Sequence, residues 1–194
     1  MHVANLAFWN YCKERYARYF SGNVSVLEVG SFNVNGTVRQ FFSVGKYVGV
    51  DWRAGEGVDV VSFAHEMALE EFDCVISASM LEHDPYWMKS LSKMVQHLKK
   101  DGILLLSWGA ALNLPHEFHT AVDGEFHPLP AKRVLDLLMV LGIHVQEFHY
   151  EGNLFPELIA PPLLGNGEVV LVGFLDPNLL NNPELDELLA EDMV

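Results

Sequence analysis

A glycine and an acid follow two apolar runs of this sequence at the spacing of a nucleoside site. The segment 26–36 reads VLEVGSFNVNG, in which Gly30 comes directly after an apolar run, and Asp51 ends a second apolar run 21 residues later. A glycine turn with an acid about 20 residues further on can hold an adenosine-type ligand, because the acid accepts hydrogen bonds from the ribose hydroxyls. Each feature alone is common in α/β proteins, so a purely structural explanation stays open.

A second group of candidate residues lies in the segment 112–130, LNLPHEFHTAVDGEFHPLP, which contains His116, His119 and His127 together with Glu117 and Asp123. Histidines and an acid can bind a metal, but no two of these histidines have the spacing of a rigid helical pair, so we expect no metal. A histidine titrates near neutral pH and can serve as a general base. A solvated loop that is merely rich in histidine is the alternative.

Seven short apolar runs bounded by Gly, Asp or Ser predict the strands that position these residues. The first five are nearly continuous hydrophobic stretches, typical of a parallel sheet covered on both faces. The predicted strands are 25–30, 46–51, 58–61, 72–77, 102–108, 143–150 and 168–175.

Helical patterns fill most of the intervals between these runs. A first helix is predicted within 3–20, and another over 84–102 with Asp84 as N-cap, Pro85 at the first helical position and Gly102 at its end. A further helix spans 130–142. Alternating strands and helices indicate an α/β fold with a Rossmann-like, doubly wound sheet that binds ligands at the carboxyl ends of its strands.

The last connection differs from the others. Residues 151–167 contain three prolines and are too broken for a crossover helix, so the seventh strand should return antiparallel beside the sixth. We therefore expect a seven-stranded sheet that is mostly parallel.

Several motifs in order carry a family resemblance: VLEVGSFNVNG, YVGVDWRAGEGVDVV, FDCVISASMLEHD and the GILLLSW strand. Together they resemble the class I S-adenosylmethionine-dependent methyltransferases, particularly the small bacterial and phage-type branch. The resemblance covers about residues 24–150. It implies S-adenosylmethionine as cofactor and transfer of its methyl group to an O- or N-nucleophile of a small molecule.

The resemblance also implies roles for particular residues. Glu28 would lie under the glycine loop, Gly30 would let the backbone approach the cofactor, Asp51 would accept from the ribose hydroxyls, and Trp52 could cover the adenine. Ser79 would face the transferable methyl. The cofactor-binding set is Glu28, Gly30, Ser31, Phe32, Asn35, Asp51, Trp52, Phe63, Ala64 and Ser79, and the candidate bases are His83, His116 and His119.

Two positions depart from the family pattern. Phe32 replaces the usual second glycine of the loop, so Asn33 or Asn35 would have to supply the positive-φ turn. Phe63 stands where an adenine-binding acid is usual, which leaves adenine recognition to stacking and to backbone groups near Ala64.

Composition limits the partners. The 194 residues carry a net charge of −14, and the 61 residues after Arg133 hold eleven acids and no Lys or Arg. Such a chain repels phosphate backbones, so a small-molecule substrate is expected rather than nucleic acid. We expect one methyltransferase-like domain over 24–176, with an N-terminal helix in 1–23 and an acidic tail over 177–194.

Location and assembly follow from the same composition. No apolar run is long enough to span a membrane, and the N-terminus lacks the order of a secretory signal, so a cytoplasmic protein is expected. Cys12 and Cys74 are too few for a disulfide framework, and Cys74 reads as a buried small hydrophobe. Whether the chain forms a homodimer is left open by the sequence.

Two alternative functions remain at this stage. A dinucleotide-dependent oxidoreductase would need a G-x-G-x-x-G turn, which VGSFNVNG does not supply, and would not ordinarily end in an antiparallel strand. A non-catalytic module could instead retain the cofactor pocket, and it would bind cofactor without turnover.

Overall fold

The computed structural model describes residues 3–34, 36–109, 129–150 and 168–176. The predictions for the site residues Asn35, His116 and His119 and for the tail 177–194 concern positions outside these residues. Short 3-10 turns are Ala17–Tyr19, Val38–Phe41, Ala64–Glu66 and Leu81–His83. The helices and strands are α1 (Val3–Arg15), β1 (Ser21–Val29), β2 (Ser43–Asp51), β3 (Val60–Val61), β4 (Phe72–Ala78), α2 (Trp87–Gln96), β5 (Leu98–Gly109), α3 (Ala131–Val140), β6 (Ile143–Tyr150) and β7 (Glu168–Leu175).

The strands form one seven-stranded sheet in the order β3-β2-β1-β4-β5-β7-β6. The pairs from β3 to β5 are parallel, whereas β7 runs antiparallel to both β5 and β6. The predicted antiparallel seventh strand is therefore confirmed, and it lies between β5 and β6. This arrangement disfavours the dinucleotide oxidoreductase, which would have an all-parallel sheet.

Helices cover both faces of the sheet, as the nearly continuous apolar strands predict. One face packs against α2 and α3, where Leu91 and Leu138 are fully buried. The other face packs against α1 through Phe8, Trp9 and Cys12. Cys74 lies in this second layer as a free, fully buried thiol, which confirms its predicted role as a small hydrophobe.

The predicted bounds of two helices are wrong. The helix α2 begins at Trp87, because Asp84 precedes a proline and is extended (φ −101°, ψ 111°), and its carboxylate accepts a hydrogen bond from the Tyr86 amide at 2.8 Å. It ends at Gln96 because Leu98 already pairs with Phe72 as the start of β5. The first helix ends at Arg15, and a 3-10 turn leads from it into β1.

Candidate active site

Gly30 ends β1 in a left-handed conformation, with φ +83°. Its amide and that of Ser31 both donate to the Val50 carbonyl, at 2.9 and 3.0 Å, which folds the chain back over β2. A Cβ on Gly30 would lie 2.5 Å from the Met80 side chain. The glycine is thus required by its φ and by the neighbouring Met80 side chain.

Ser31 and Asn33 shape the rest of this loop. Ser31 is buried, and its hydroxyl points toward β2, where a Cβ on Gly49 would come within 2.7 Å of the Ser31 Oγ. Asn33 does not adopt a positive φ, contrary to one of the two options predicted. Its Oδ1 instead accepts from the Gly36 amide at 2.8 Å, and the left-handed conformation falls on Gly36, with φ +119°.

Glu28 lies within the sheet beneath the loop and is only 4% exposed. Its carboxyl accepts a hydrogen bond from the Tyr47 hydroxyl at 2.8 Å, and this partner belongs to the neighbouring strand β2. Burial raises the pKa of Glu28 to about 7. Because this bond joins β1 to β2, the Glu28 carboxyl links two strands within the sheet.

Asp51 ends β2 with a nearly buried carboxylate, its side chain being 9% exposed. One oxygen accepts from the Phe32 amide and the other from the Arg53 amide, each at 3.2 Å. A carboxylate oxygen has two lone-pair sites, so Oδ2 can also accept from a ligand hydroxyl, while Oδ1 additionally faces the Arg53 guanidinium, whose Nε lies 3.9 Å away. The pair of acceptors is therefore fixed in direction before any ligand binds.

Aromatic side chains flank this carboxylate. Trp52 is 55% exposed and Phe63 is 53% exposed, values unusual for such large apolar groups. The Phe63 ring contacts His65 at a centroid distance of 5.7 Å, and His65 contacts Tyr86 at 4.5 Å. Ala64 begins the 3-10 turn between Phe63 and His65 and packs against the core. Exposed ring faces of this kind can stack on a planar heterocycle.

Ser79 follows β4 with φ +52°, a left-handed conformation that is uncommon for a residue other than glycine. Its amide donates to the Ser107 carbonyl at 2.8 Å, which ties the turn to β5. Glu82 in the same turn is buried and accepts from the Gly109 amide at 2.9 Å. Backbone strain held by such bonds often marks functional sites.

Five of the predicted site residues lie at or near one edge of the sheet. Gly30, Asp51 and Ser79 come together at the carboxyl edge of β1, β2 and β4, while Glu28 lies below it in the sheet. His83 lies in the turn Leu81–His83 after β4. No cluster of potential metal ligands occurs in the part of the chain that the structure describes, and no described helix is long and apolar enough to cross a membrane.

The sequence analysis missed the segment 53–58, RAGEGV, as part of this edge. Asn33 donates from its amide to the Glu56 carbonyl at 2.9 Å and from its side chain to the Glu56 carboxylate at 2.8 Å. The Arg53 guanidinium lies over the Phe32 ring at 4.1 Å. The signal that could have found the segment is its pair of glycines so soon after Asp51.

Comparisons with known proteins agree with this architecture. Residues 35–106, from the loop after β1 to within β5, match the family model described as "Methyltransferase domain". The matched segment is 72 of the 194 residues, and it resembles the methyltransferase domain that this model describes. No curated protein matches the chain.

Solved structures resemble this chain in fold. One is 1,6-didemethyltoxoflavin-N1-methyltransferase of Burkholderia thailandensis, 15% identical with a TM-score of 0.60 over 90% of this chain and 79% of the other. A methyltransferase of Clostridium acetobutylicum is 10% identical, with a TM-score of 0.62 over 87% and 91%. The cyclase SpnF is 13% identical, with a TM-score of 0.62 over 87% and 80%. At these identities the likeness shows the fold alone.

Among the structures similar in fold, a magnesium protoporphyrin IX methyltransferase of Synechocystis contains S-adenosylmethionine, and the Burkholderia structure contains S-adenosylhomocysteine. The residues of this chain fit the adenosine half of such a cofactor. The Asp51 carboxylate offers two fixed acceptors for two ribose hydroxyls, and Trp52 and Phe63 offer exposed rings for adenine. The fit rests on these acceptors and exposed rings.

Proposed function

We propose that this protein transfers a methyl group from S-adenosylmethionine to an oxygen or nitrogen of a small molecule. The observation that carries the proposal is the Asp51 carboxylate at the carboxyl edge, with each oxygen held in direction by one backbone N–H. A small acceptor is supported by the net charge of −14, which disfavours nucleic acid. The name of the Burkholderia enzyme describes N-methylation, and its structure holds a small acceptor.

The residues at the carboxyl edge divide the task of holding the cofactor. Asp51 would accept from the ribose hydroxyls, Trp52, Phe63 and Ala64 would contact the adenine, and Gly30, Ser31, Phe32 and Asn35 would hold the remainder. When bound, S-adenosylmethionine would supply an electrophilic methyl on its sulfonium. Ser79, in a left-handed conformation after β4, would lie near that methyl, and the protein would contribute positioning and exclusion of water.

A hydroxyl or amine acceptor must lose a proton as its bond to carbon forms. His83, His116 and His119 are the proposed bases, because an imidazole nitrogen can take that proton near neutral pH. His83 is placed by the turn Leu81–His83, which the Glu82 bond to the end of β5 holds in position.

The test combines binding with turnover. Calorimetry should show one S-adenosylhomocysteine bound per chain, and a panel of small hydroxyl and amine acceptors with methyl-labelled cofactor should yield a labelled product. Single replacements of His83, His116 and His119 by Ala should include one that lowers turnover on the order of 10²-fold with cofactor affinity unchanged.

Two outcomes would contradict the proposal. Absence of S-adenosylhomocysteine binding would remove the cofactor. Binding without turnover on any acceptor would favour a non-catalytic module or a different reaction on the same fold, as the name of the cyclase SpnF illustrates. We also propose a cytoplasmic location, which composition alone supports. Whether the protein forms a homodimer can be measured by sedimentation.

A further inference from the structure

Two loops at the carboxyl edge are joined side by side. The β1 loop is residues 30–33, and the β2 loop is residues 52–58. Asn33 makes two hydrogen bonds to Glu56: its amide donates to the Glu56 carbonyl at 2.9 Å, and its Nδ2 donates to Glu56 Oε1 at 2.8 Å. These two bonds, called the Asn33–Glu56 clasp below, join the exposed ends of both loops.

The loops approach so closely that two glycines of the β2 loop cannot carry a side chain without displacing the β1 loop. A Cβ on Gly55 would lie 2.1 Å from the Phe32 ring. A Cβ on Gly57 would lie 2.5 Å from the Ser31 carbonyl oxygen, and Gly57 has φ +88°. The β1 loop of this chain carries side chains, including Phe32. The β2 loop therefore has glycines at the positions where the two loops meet.

The clasp is connected through Phe32 to Asp51, the proposed ribose acceptor. Phe32, next to Asn33, donates its amide to Asp51 Oδ2 at 3.2 Å, while its ring lies under the Arg53 guanidinium at 4.1 Å. Arg53 in turn donates its amide to Asp51 Oδ1 at 3.2 Å. Both loops thus hold the same carboxylate, one by each oxygen, and a shift of the β1 loop would move the Phe32 amide away from it.

We propose that Asn33 and Glu56 are positioning residues of the cofactor site. Their clasp keeps the Phe32 amide on Asp51, so the ribose acceptor is formed before the cofactor arrives. The inference rests on the proposed function, in which Asp51 takes the ribose hydroxyls. When a binding-competent state is only partly populated, the apparent affinity falls by that fraction, so loss of the clasp weakens cofactor binding without removing any group that touches the cofactor.

The test measures S-adenosylhomocysteine affinity by calorimetry. Glu56→Ala and Asn33→Ala each remove the side-chain bond of the clasp and should weaken binding about tenfold, the scale of one lost hydrogen bond to a charged group. Glu56→Gln keeps an oxygen acceptor for Asn33 and should bind nearly as wild type. Glu71→Ala, which removes an exposed acid just before β4, is the matched control and should not change affinity.

A double-mutant cycle with Asp51→Ala separates positioning from general stability. If the clasp acts through Asp51, Glu56→Ala should add little further loss in the Asp51→Ala background, although it costs about tenfold alone. Thermal unfolding of each variant checks that the measured protein is folded. If Glu56→Ala folds poorly, Glu56→Gln and Asn33→Ala remain, and Asn33→Ala removes the bond that the Gly36 amide donates to Asn33 Oδ1 as well as the clasp bond.

Each contrary result has its own meaning. Wild-type affinity in both Glu56→Ala and Asn33→Ala would overturn the clasp and leave the proposed function standing. An equal loss with and without Asp51 would overturn the route through that carboxylate. A wild-type protein that binds no S-adenosylhomocysteine would overturn the proposed function and this inference together.

Discussion

At the scale of single residues, Asp51 combines a structural and a proposed binding role. Its two oxygens each accept one backbone N–H, from Phe32 and from Arg53, and the same oxygens are the proposed ribose acceptors. The spacing to Gly30 predicted this residue from sequence, because both follow strands that end at one edge of the sheet. The bonds to Phe32 and Arg53 depend on loop packing, which the spacing does not encode.

Replacing Asp51 by Ala should weaken S-adenosylhomocysteine binding by about 1.5–3 kcal/mol, because hydrogen bonds to a charged group are lost. Titration calorimetry measures this difference directly. Asp136→Ala removes an exposed acid of α3 that pairs with Lys132, and it serves as the control. Unchanged affinity in Asp51→Ala would take this residue out of the site.

Glu28 gives the protein a pH dependence of stability. Burial raises its pKa to about 7 in the folded state, above the 4.5 of an ordinary glutamate, so the folded protein binds more protons than the unfolded chain between these values. Stability from this group is therefore present at low pH and is lost as pH rises from about 4.5 to about 7. The loss between pH 5 and pH 8 should be on the order of 2–3 kcal/mol.

Denaturant unfolding of wild type and Glu28→Gln at pH 5 and pH 8 tests this sign. The amide keeps an oxygen for the Tyr47 hydroxyl but cannot ionise, so the variant should gain stability relative to wild type as pH rises. Parallel pH profiles for the two proteins would mean that Glu28 does not titrate in this range.

At the scale of elements, the strands were more predictable than the helix ends. Seven apolar runs and the broken segment 151–167 predicted seven strands with the last antiparallel, because burial on both faces leaves a continuous hydrophobic pattern. The start of β1 at Ser21 was missed, since it depends on pairing with Ser43 of β2. The start of α2 was missed because Pro85 keeps Asp84 extended.

The helix α1 is fixed to the opposite edge of the sheet by one carboxylate. Glu147 of β6 accepts from the Tyr11 hydroxyl at 2.6 Å, from Arg15 at 2.9 Å and from the Tyr16 hydroxyl. Burial raises the pKa of both phenols, with Glu147 adding to the shift, so both remain donors at neutral pH. This link could not be predicted from sequence patterns, because its partners lie more than 130 residues apart.

Glu147→Ala should lower the free energy of unfolding by about 2 kcal/mol, since two partly buried tyrosine hydroxyls and Arg15 each lose a bond to this carboxylate. Hydrogen exchange of the α1 amides should accelerate more than that of the central strands. Glu14→Ala, an exposed acid on the same helix, should change neither quantity. If α1 keeps its protection in Glu147→Ala, the apolar layer under Phe8 and Trp9 alone holds the helix.

At the scale of the whole molecule, the fold concentrates chemistry at one end of a sheet whose faces are both covered. The layer under α1 and the layer under α2 and α3 leave the carboxyl edge as the place where loops and polar groups meet. The net charge of −14 gives the chain as a whole a negative field. A field of this sign attracts cationic small molecules and repels phosphate polymers, in agreement with the proposed class of acceptor.

The position of β7 has a consequence for how the chain is made. Within the described sheet β6 pairs with β7 and with no other strand, and β7 also covers the outer side of β5. On the ribosome, β6 emerges before its partner, so the nascent chain carries an open apolar edge at β5 until residues 168–175 arrive. Such exposed strand edges can pair with other chains. A chain cut before Glu168 would therefore lose β6 as well as β7, and with β6 the Glu147 contact that holds α1.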